Sequence, residues 1–227
     1  MSDTPPPHRL RVTLSVPLAL ASLAPTGCTR STNREPRSAA GSPAPAGQVS
    51  TYTFDAEGGL PAHSEVFAGD WRPRPEPGTP SNPNALCQSG VHQFPAIALG
   101  PDNYQNLVLT ARFKAISGKE DQAAGLIFHV QDKDNYYILR ANALENNVNF
   151  YVYAGGQRSV LNEGQATVSA GQWHELRAEI TGQHMTGYLD GKQVVASTDN
   201  RFGAGRIGLW TKADSVTCFD DVTATAR

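Results

Sequence analysis

The sequence predicts an all-β domain in which two antiparallel sheets stack as a β-sandwich of the jelly-roll kind. Apolar and polar residues alternate through many short segments, and this is the period of a half-buried strand. Turn-forming pairs such as Gly155-Gly156 and Asp190-Gly191 separate the segments. No segment shows a convincing helical period. Many short strands with turn signals between them are typical of sandwiches and jelly rolls.

The chain begins with a predicted export signal. Arg9 and Arg11 precede the apolar run at residues 12–23. This run is too short to span a bilayer, and with its basic flank it matches a secretory signal peptide. We therefore expect residues 1–27 to be removed on export and to take no part in the fold.

The end of this signal resembles a bacterial lipobox. Residues 23–28 read LAPTGC, and in a lipobox the final cysteine is lipidated after cleavage. Pro25 departs from the pattern, since leucine is usual there. We expect Cys28 to be the first mature residue and the lipidation site, with an ordinary signal peptide cut nearby as the alternative. Either cleavage predicts a protein of the periplasm or cell surface.

A disordered tether is predicted between the signal and the domain. Residues 28–48 are rich in Ser, Pro, Ala, Gly and Arg, and this composition buries too little apolar surface to offset the entropy of ordering. The remaining residues, 49–227, suffice for one sizeable domain. The formal net charge of the whole chain is −2, so composition provides no electrostatic case for a nucleic-acid partner.

The first predicted strands flank a proline-rich segment. Residues 51–55 alternate and are β-branched, and residues 66–71 form a possible second strand. Residues 72–84 contain five prolines, at positions 73, 75, 77, 80 and 83. Proline lacks the N–H that a sheet ladder needs, so we expect a long surface loop here. Further strands are predicted at residues 85–91 and 96–99.

The middle of the chain predicts a series of hairpin-linked strands. Strands are expected at residues 106–116, 125–131, 136–141, 148–153 and 158–161. In the second of these, alternation places Leu126, Phe128 and Val130 on one face and Ile127, His129 and Gln131 on the other.

The C-terminal third of the sequence predicts one hairpin and three further strands. Residues 173–180 alternate, with Trp173 expected in the core. Asp190-Gly191 predicts a type I′ turn between strands at residues 185–189 and 193–197, because both central positions of that turn need a positive φ. Strands at residues 205–210 and 219–222 complete the domain.

These parts resemble the concanavalin A-like lectin/glucanase superfamily. The residues that carry the resemblance are WHELR (173–177), YLDGK (188–192), GRIGLWT (205–211) and FDDV (219–222), with GLIFH (125–129) and DNYYILR (134–140) upstream. The likeness is greatest to the laminin-G-like and 3-keto-disaccharide hydrolase-like bacterial branches. It implies a jelly roll, but the superfamily includes lectins, hydrolases and non-catalytic protein-interaction modules, so the function stays open.

Saccharide recognition is the favoured function. A concave sheet face would present alternate side chains from adjacent strands, and aromatic rings there stack on sugars while polar groups bind hydroxyls. The residues expected on this face are His129, Gln131, Arg140, Asn149, Tyr151, Tyr153, Trp210 and Lys212. The alternative is that the aromatic residues only pack the domain.

An enzymatic function is the main alternative. Laminarinase-type glycosidases of the superfamily use closely spaced acids on one strand, and that pattern is missing here, which argues against a retaining glycosidase. The resemblance to 3-keto-disaccharide hydrolases leaves β-elimination at a ketosugar, for which His129 would be the base and Arg140 the electrophile.

Ion binding and cross-linking are two further expectations. Asp55, Asp220 and Asp221 lie near the two ends of the domain, and clustered carboxylates suit a structural Ca²⁺. No other cofactor is indicated. In an oxidising compartment Cys87 and Cys218 either pair as a disulfide or remain two free thiols.

Overall fold

The computed structural model describes residues 42–55 and 59–227. The predicted export signal, Cys28 and most of the predicted tether lie outside the described residues. All regular structure in the described part is β. Over the same residues, no helix is long and apolar enough to cross a membrane.

Fifteen strands make up the described part of the chain. They are β1 (Val49–Tyr52), β2 (Glu65–Ala68), β3 (Trp71–Pro75), β4 (Asn84–Gln88), β5 (Ala96–Tyr104), β6 (Leu107–Ser117), β7 (Ala123–Asp132), β8 (Asn135–Asn142), β9 (Asn147–Ala154), β10 (Gln157–Gln165), β11 (His174–Thr181), β12 (His184–Leu189), β13 (Lys192–Thr198), β14 (Gly205–Trp210) and β15 (Val216–Ala226).

The strands form two sheets. The eight-stranded sheet has the order β13-β12-β11-β6-β15-β4-β3, with β1 also paired to β15. The seven-stranded sheet has the order β10-β9-β8-β7-β14-β5-β2. Each of the pairings is antiparallel, including the long β6–β15 and β7–β8 ladders. The predicted antiparallel β-sandwich is confirmed.

The main core lies between the two sheets. Along β6 buried and half-buried residues alternate, because Leu107, Leu109 and Phe113 point inward while the residues between them point outward. Leu139 and Phe150 of the other sheet belong to the same core. Burying a side chain of this size contributes about 1.5–3 kcal/mol relative to leaving it exposed. The alternation seen in the sequence is therefore the direct consequence of this packing.

The central strands of the seven-stranded sheet are buried on both faces. Every residue of β8 after Asn135 is buried, which a sheet with one solvated face does not show. A second apolar cluster lies on the outer face of this sheet and includes Ile127, Ile138 and Trp210. The outer face is thus covered by side chains of its own, and it is the face that carries the candidate site.

One edge strand corrects the prediction of a long loop at residues 72–84. Trp71–Pro75 forms β3, which pairs with β4 at the edge of the eight-stranded sheet. Proline is tolerated on an edge strand because one side of the strand has no ladder partner to which it must donate. The loop is shorter and spans the residues between Pro75 and Asn84.

The end of the predicted tether is also corrected. Ala44 N donates to Asn103 O at 2.6 Å, and Gly47 N donates to Ala226 O at 2.9 Å. Ala226 N in turn donates to Gln48 O at 2.9 Å. Gly47 and Gln48 extend the β1–β15 pairing and Ala44 bonds to β5, so the ordered chain begins before Val49.

Candidate functional site on the outer face of the seven-stranded sheet

Cross-strand rows of side chains build the outer face. Strand pairing aligns Trp210, Gly125, Arg140, Asn149 and Glu163 in one row, Gly208, Ile127, Ile138, Tyr151 and Val160 in the next, and Tyr136, Tyr153 and Arg158 in a third. Neighbouring strands lie about 4.8 Å apart, so these side chains contact one another directly. The predicted residues Arg140, Asn149, Tyr151, Tyr153 and Trp210 do share this face.

Trp210 forms the floor of the face. Its side chain is fully buried. The ring fits because its cross-strand partner is Gly125, where an added Cβ would come within 3.2 Å of the Trp210 Cβ and Cε3 atoms. The Phe94 ring stacks on the Trp210 ring with centroids 5.6 Å apart. The expectation that Trp210 itself stacks on a sugar is therefore wrong for this arrangement, because other side chains cover the ring.

Arg158 covers the centre of the face. Its guanidinium carbon lies 4.4 Å from the Tyr151 ring centroid, 5.0 Å from that of Phe94 and 5.6 Å from that of Trp210. No ion pair or hydrogen bond joins this guanidinium to another described residue, and its buried Nη1 has no partner. Burial lowers the pKa of Arg158, and the charge of the nearby Arg140 lowers it further, against the opposing effect of Tyr151.

Arg158 was not among the site residues predicted from the sequence. The available signal was the hairpin turn at Gly155-Gly156, because the register of β9 and β10 pairs Arg158 with Tyr153. Paired residues of an antiparallel ladder point to the same face. Once Tyr153 is placed on the outer face, Arg158 must lie there too.

A charged network borders the face on one side. Arg140 Nη2 donates to Glu145 Oε2 at 2.7 Å and to Asn147 Oδ1 at 2.6 Å. Burial by itself raises the pKa of Glu145, but the hydrogen bond from Asn147 and the charge of Arg140 bring it below its ordinary value. The predicted residue Lys212 pairs with Asp121, which is fully buried. Arg140 and Lys212 thus already have anionic partners.

Asn149 is engaged within the protein. Its side-chain amide donates to the Tyr151 hydroxyl at 3.1 Å and to Glu163 Oε1 at 3.4 Å. Its Oδ1 accepts from Gly164 N at 3.2 Å. Asn149, Arg140 and Tyr151 are all buried. They hold the face in place, and a ligand at the surface does not reach them in this arrangement.

The accessible part of the face is an aromatic cleft of about 340 Å³. Its lining residues are Phe67, Ala68, His92, Gln93, Phe94, Lys133, Asp134, Tyr136 and Tyr153. The Tyr136 and Tyr153 rings lie 4.9 Å apart, and Phe94 meets Tyr153 edge to face at 5.6 Å. Lys133 and Asp134 form an exposed ion pair at 2.6 Å. The cleft therefore offers the half-buried rings of Phe94 and Tyr153 beside charged and hydrogen-bonding groups, and Arg158 adjoins it at Phe94.

Two predicted residues lie elsewhere, and the placement of His129 on this face is wrong. His129 adopts a φ of 49° within a bulge where the β7–β8 register shifts. A one-residue slip reverses the facing of every later side chain. The His129 ring accordingly contacts Phe128 and Tyr137, both of the inner core, while Val130 joins the outer cluster.

Gln131 is also displaced from the cleft. Its Nε2 donates to Ala204 O at 2.9 Å and to His129 O at 3.2 Å. These contacts fasten the end of β7 to the segment that precedes β14. Gln131 does not line the cleft.

The greater part of the domain matches a known family in sequence. A model of the family described as "3-keto-alpha-glucoside-1,2-lyase-like domain" matches residues 67–225, which is more than half of the chain. The chain belongs to this family. The predicted relationship to the 3-keto-disaccharide hydrolase-like branch is confirmed.

Relatives of this lyase-like domain include a curated enzyme and two solved carbohydrate-binding folds. It is 29% identical to the levanase of Bacillus subtilis (strain 168) over 106 residues, which are 45% of this chain and 15% of the levanase. The carbohydrate-binding module CBM66 from Bacillus subtilis superposes with a TM-score of 0.60 at 20% identity, over 72% of this chain and 95% of the module. The carbohydrate recognition domain of Emp47p superposes with a TM-score of 0.57 at 10% identity, over 79% and 97%. The two structures show the fold.

The arrangement separates the predicted catalytic pair of the lyase-like domain. His129 lies with the inner core residue Tyr137, whereas Arg140 lies on the outer face over Tyr151 at 5.2 Å. Burial lowers the pKa of His129, against hydrogen bonds with backbone carbonyls that raise it. The two side chains cannot act on one substrate from opposite faces of a sheet.

The opposite sheet holds a disulfide between Cys87 and Cys218, with an S–S distance of 1.97 Å. The two residues face each other across the β4–β15 pair. Trp173 packs against this disulfide and its Nε1 donates to Pro77 O at 3.4 Å. Trp173, expected in the core, is half-buried against this small cluster on the outward side of the eight-stranded sheet. Leu176 of β11 points instead into the main core between the sheets.

Two of the three predicted calcium ligands, Asp55 and Asp220, accept hydrogen bonds from backbone amides. Asp220 is buried and accepts from Ser81 N at 2.8 Å and Ser81 Oγ at 2.9 Å, and burial raises its pKa against these bonds. Asp55 Oδ1 accepts from Asn84 N at 2.8 Å. Asp221 lines a separate groove. Structural calcium stays a prediction, and a melting temperature that chelator leaves unchanged would count against it.

Among the described residues, one set of three potential ligands lies close enough to hold a metal. It consists of Glu76, Cys87 and Cys218. Metal ligation by cysteine requires the thiolate, and these two sulfur atoms are bonded to each other. The set therefore does not constitute a metal site in the oxidised protein.

Proposed function

We propose that this protein is an exported carbohydrate-binding domain that recognises a saccharide at the aromatic cleft on the outer face of its seven-stranded sheet. The observation that carries the proposal is the composition of the cleft. Tyr153 and Phe94 present partly exposed ring surface, while Lys133, Asp134 and His92 present charged or hydrogen-bonding groups around it. Sugars bind where their apolar C–H faces meet aromatic rings and their hydroxyls meet polar groups.

The relatives support the same proposal. One structural neighbour is a carbohydrate-binding module and another is a carbohydrate recognition domain, and the levanase is a carbohydrate-active enzyme by name. The disulfide between Cys87 and Cys218 is typical of an oxidising compartment. The proposed location is therefore extracytoplasmic, at the periplasm or cell surface, with lipid attachment at Cys28. Carbohydrate is the proposed partner, and nucleic acid is not.

A glycan array followed by affinity electrophoresis tests the proposal with the full mature chain. Tyr153→Ala and Phe94→Ala are expected to weaken binding by about tenfold or more, because each removes ring surface that the sugar contacts. Tyr188→Ala is the matched control, since Tyr188 is an outward ring on the other sheet with Arg177 stacked 4.0 Å above it. Wild-type affinity in both cleft variants would overturn the proposed position of the binding site. Binding to no glycan would overturn the function.

A lyase-like activity on 3-keto sugars is the second candidate, and the family match supports it. In such a reaction a base removes the proton on the carbon beside the ketone, and the glycosidic oxygen leaves as the double bond forms. His92 lines the cleft, and its Nδ1 accepts from Phe94 N at 3.3 Å. That bond uses the lone pair of Nδ1, so the neutral ring carries its proton on Nε2. His92 is therefore suited to donate a proton to the leaving glycosidic oxygen and not to act as the base.

Turnover of 3-keto-disaccharides separates the two candidates. Enzymatic activity predicts release of the leaving sugar by the wild type and its loss in His92→Ala. No turnover alongside glycan binding supports the binding domain. If neither is observed, the remaining class is a protein-interaction module of the laminin-G kind.

A further inference from the structure

We infer that the saccharide bound at this face is acidic and that Arg158 binds its carboxylate. This rests on the proposed carbohydrate-binding function and names the class of sugar. Arg158 has an unusual combination of properties: its guanidinium is held in place by aromatic rings, yet its N–H groups have no acceptor among the described residues.

Three aromatic rings fix the guanidinium. Tyr151 lies at 4.4 Å, Phe94 at 5.0 Å and Trp210 at 5.6 Å from its central carbon. All three distances are within the range of cation–π attraction. An arginine positioned in this way has lost much of its side-chain freedom before a ligand arrives, so it binds with a smaller entropic cost.

The acidic residues nearby are already engaged. Asp121 pairs with Lys212, and Glu145 pairs with Arg140. Glu163 accepts a hydrogen bond from Asn149. Arg158 is consequently the cation on this face that has no anionic partner within the described part of the chain.

A second arginine adds to the positive character of the site. Arg140 is only 1% exposed, and its Nε has no hydrogen-bond partner in residues 42–55 or 59–227. Its guanidinium lies over the same Tyr151 ring as that of Arg158, at 5.2 Å. Two guanidinium groups on one ring repel each other, and an anion above Arg158 relieves that repulsion.

A carboxylate matches the donor geometry. The planar guanidinium presents parallel N–H groups that bind both oxygens of a carboxylate at once, and such charge-assisted pairs are among the stronger hydrogen bonds in proteins. A uronic acid combines this group with a pyranose ring for the adjoining cleft at Phe94 and Tyr153. A neutral sugar offers hydroxyl oxygens alone and leaves the positive charge unpaired.

The decisive experiment compares matched ligands by titration calorimetry on the full mature chain. The probes are oligogalacturonide, the same oligomer after methyl esterification and the same oligomer after reduction of its carboxyls to alcohols, with the corresponding set from glucuronic acid. We expect the free acid of at least one set to bind about tenfold or more tightly than its ester and its reduced form. Added salt is expected to narrow that difference.

Arg158→Gln tests the residue itself. This variant is expected to bind the acid, the ester and the reduced form with similar affinity. Arg177→Gln is the matched control, because Arg177 is likewise stacked on a tyrosine ring but on the other sheet; it should keep the preference for the acid. The ester comparison needs no mutation, so it remains informative if Arg158→Gln fails to fold.

The outcomes separate this inference from the proposed function. Equal affinity for the acidic and the neutral saccharides overturns the inference and leaves carbohydrate binding standing. Acid preference that persists in Arg158→Gln also overturns it. Binding to no saccharide of either kind overturns the proposed function as well.

Discussion

Trp210 lies over Gly125, its cross-strand partner on the outer face of the seven-stranded sheet. A Cβ atom on Gly125 would come within 3.2 Å of the indole Cε3 atom. The absence of a side chain at position 125 is what allows the ring to lie down on the sheet and to be fully buried. The largest aromatic residue of the candidate face thus supports it from below.

Trp210→Ala is therefore expected to act mainly on stability. Emptying a fully buried tryptophan site should lower the free energy of unfolding by about 3–5 kcal/mol. Urea unfolding measures this, with Trp173→Ala as the control, because Trp173 is half-buried on the other sheet and should cost less. A variant of wild-type stability that has lost only sugar binding would show instead that the ring is a ligand platform.

Tyr137→Phe is expected to loosen the contact between β8 and the segment after β13. The Tyr137 hydroxyl donates to Asp199 Oδ1 at 2.6 Å and accepts from Phe202 N at 3.2 Å. Loss of a bond to a charged acceptor should lower the free energy of unfolding by about 1.5–3 kcal/mol. Tyr188→Phe removes the more exposed bond to Glu179 and should cost less than about 1 kcal/mol.

The same Tyr137 variant predicts a pH effect with a definite sign. Burial by itself raises the pKa of Asp199, but the hydrogen bond from Tyr137 and the charge of Arg201 bring it below its ordinary value. A depressed carboxyl pKa contributes stability above the unfolded pKa of about 3.9, and this is lost as the pH falls through the folded pKa. The difference between wild type and Tyr137→Phe should therefore shrink between pH 7 and pH 3. A constant difference would contradict the role of the charged form.

His129→Asn is expected to reduce the sensitivity of the fold to mild acid. Burial lowers the pKa of His129 below its ordinary value, so the unfolded chain takes up a proton first as the pH falls below about 6.5. Wild-type stability should then decline by at most about 1.4 kcal/mol per pH unit from this group. Asparagine tolerates the positive φ of this position.

Unfolding measured at pH 7.5 and pH 5.5 checks this expectation. The decline should be smaller in His129→Asn than in the wild type. An equal decline in both proteins would mean that other groups cause the acid sensitivity.

The double variant Cys87→Ala/Cys218→Ala is expected to be less stable by about 2–5 kcal/mol, because the disulfide closes a loop across 131 positions of the sequence. Thermal or urea unfolding with and without reductant measures the effect. Reductant in the unfolding buffer should destabilise the wild type and leave the double variant unchanged. If reductant lowers the stability of both proteins equally, its effect does not come from breaking this disulfide.

The strands were predictable where their residues alternate. Alternation at residues 106–116 and 173–180 predicted β6 and β11, because a residue's facing within a regular strand depends only on its parity in the chain. The Asp190-Gly191 turn was predictable for a similarly local reason, and both residues do have positive φ. The edge strand at Trp71–Pro75 was missed because tolerance of proline depends on the position of the strand in its sheet.

The site was only partly predictable. Arg140, Asn149, Tyr151, Tyr153 and Trp210 were placed on one face by parity, and that face is the one observed. His129 was misplaced because parity fails at a bulge, and one residue of positive φ within β7 reverses the facing of the residues after it. Which of the face residues are accessible could not be derived, since Arg158 of β10 and Phe94 of the segment before β5 cover the others.

By itself, the sequence determined that this protein is an antiparallel β-sandwich of the 3-keto-glucoside-lyase-like family, because strand period, turn chemistry and family motifs are all properties of short segments. Only the tertiary structure decided that Trp210 is a buried floor, that Arg158 lies unpaired above it and that the open cleft is at Phe94 and Tyr153. These properties depend on contacts between residues far apart in the chain. The pairing of the strands, and the bulges that shift its register, determine those contacts.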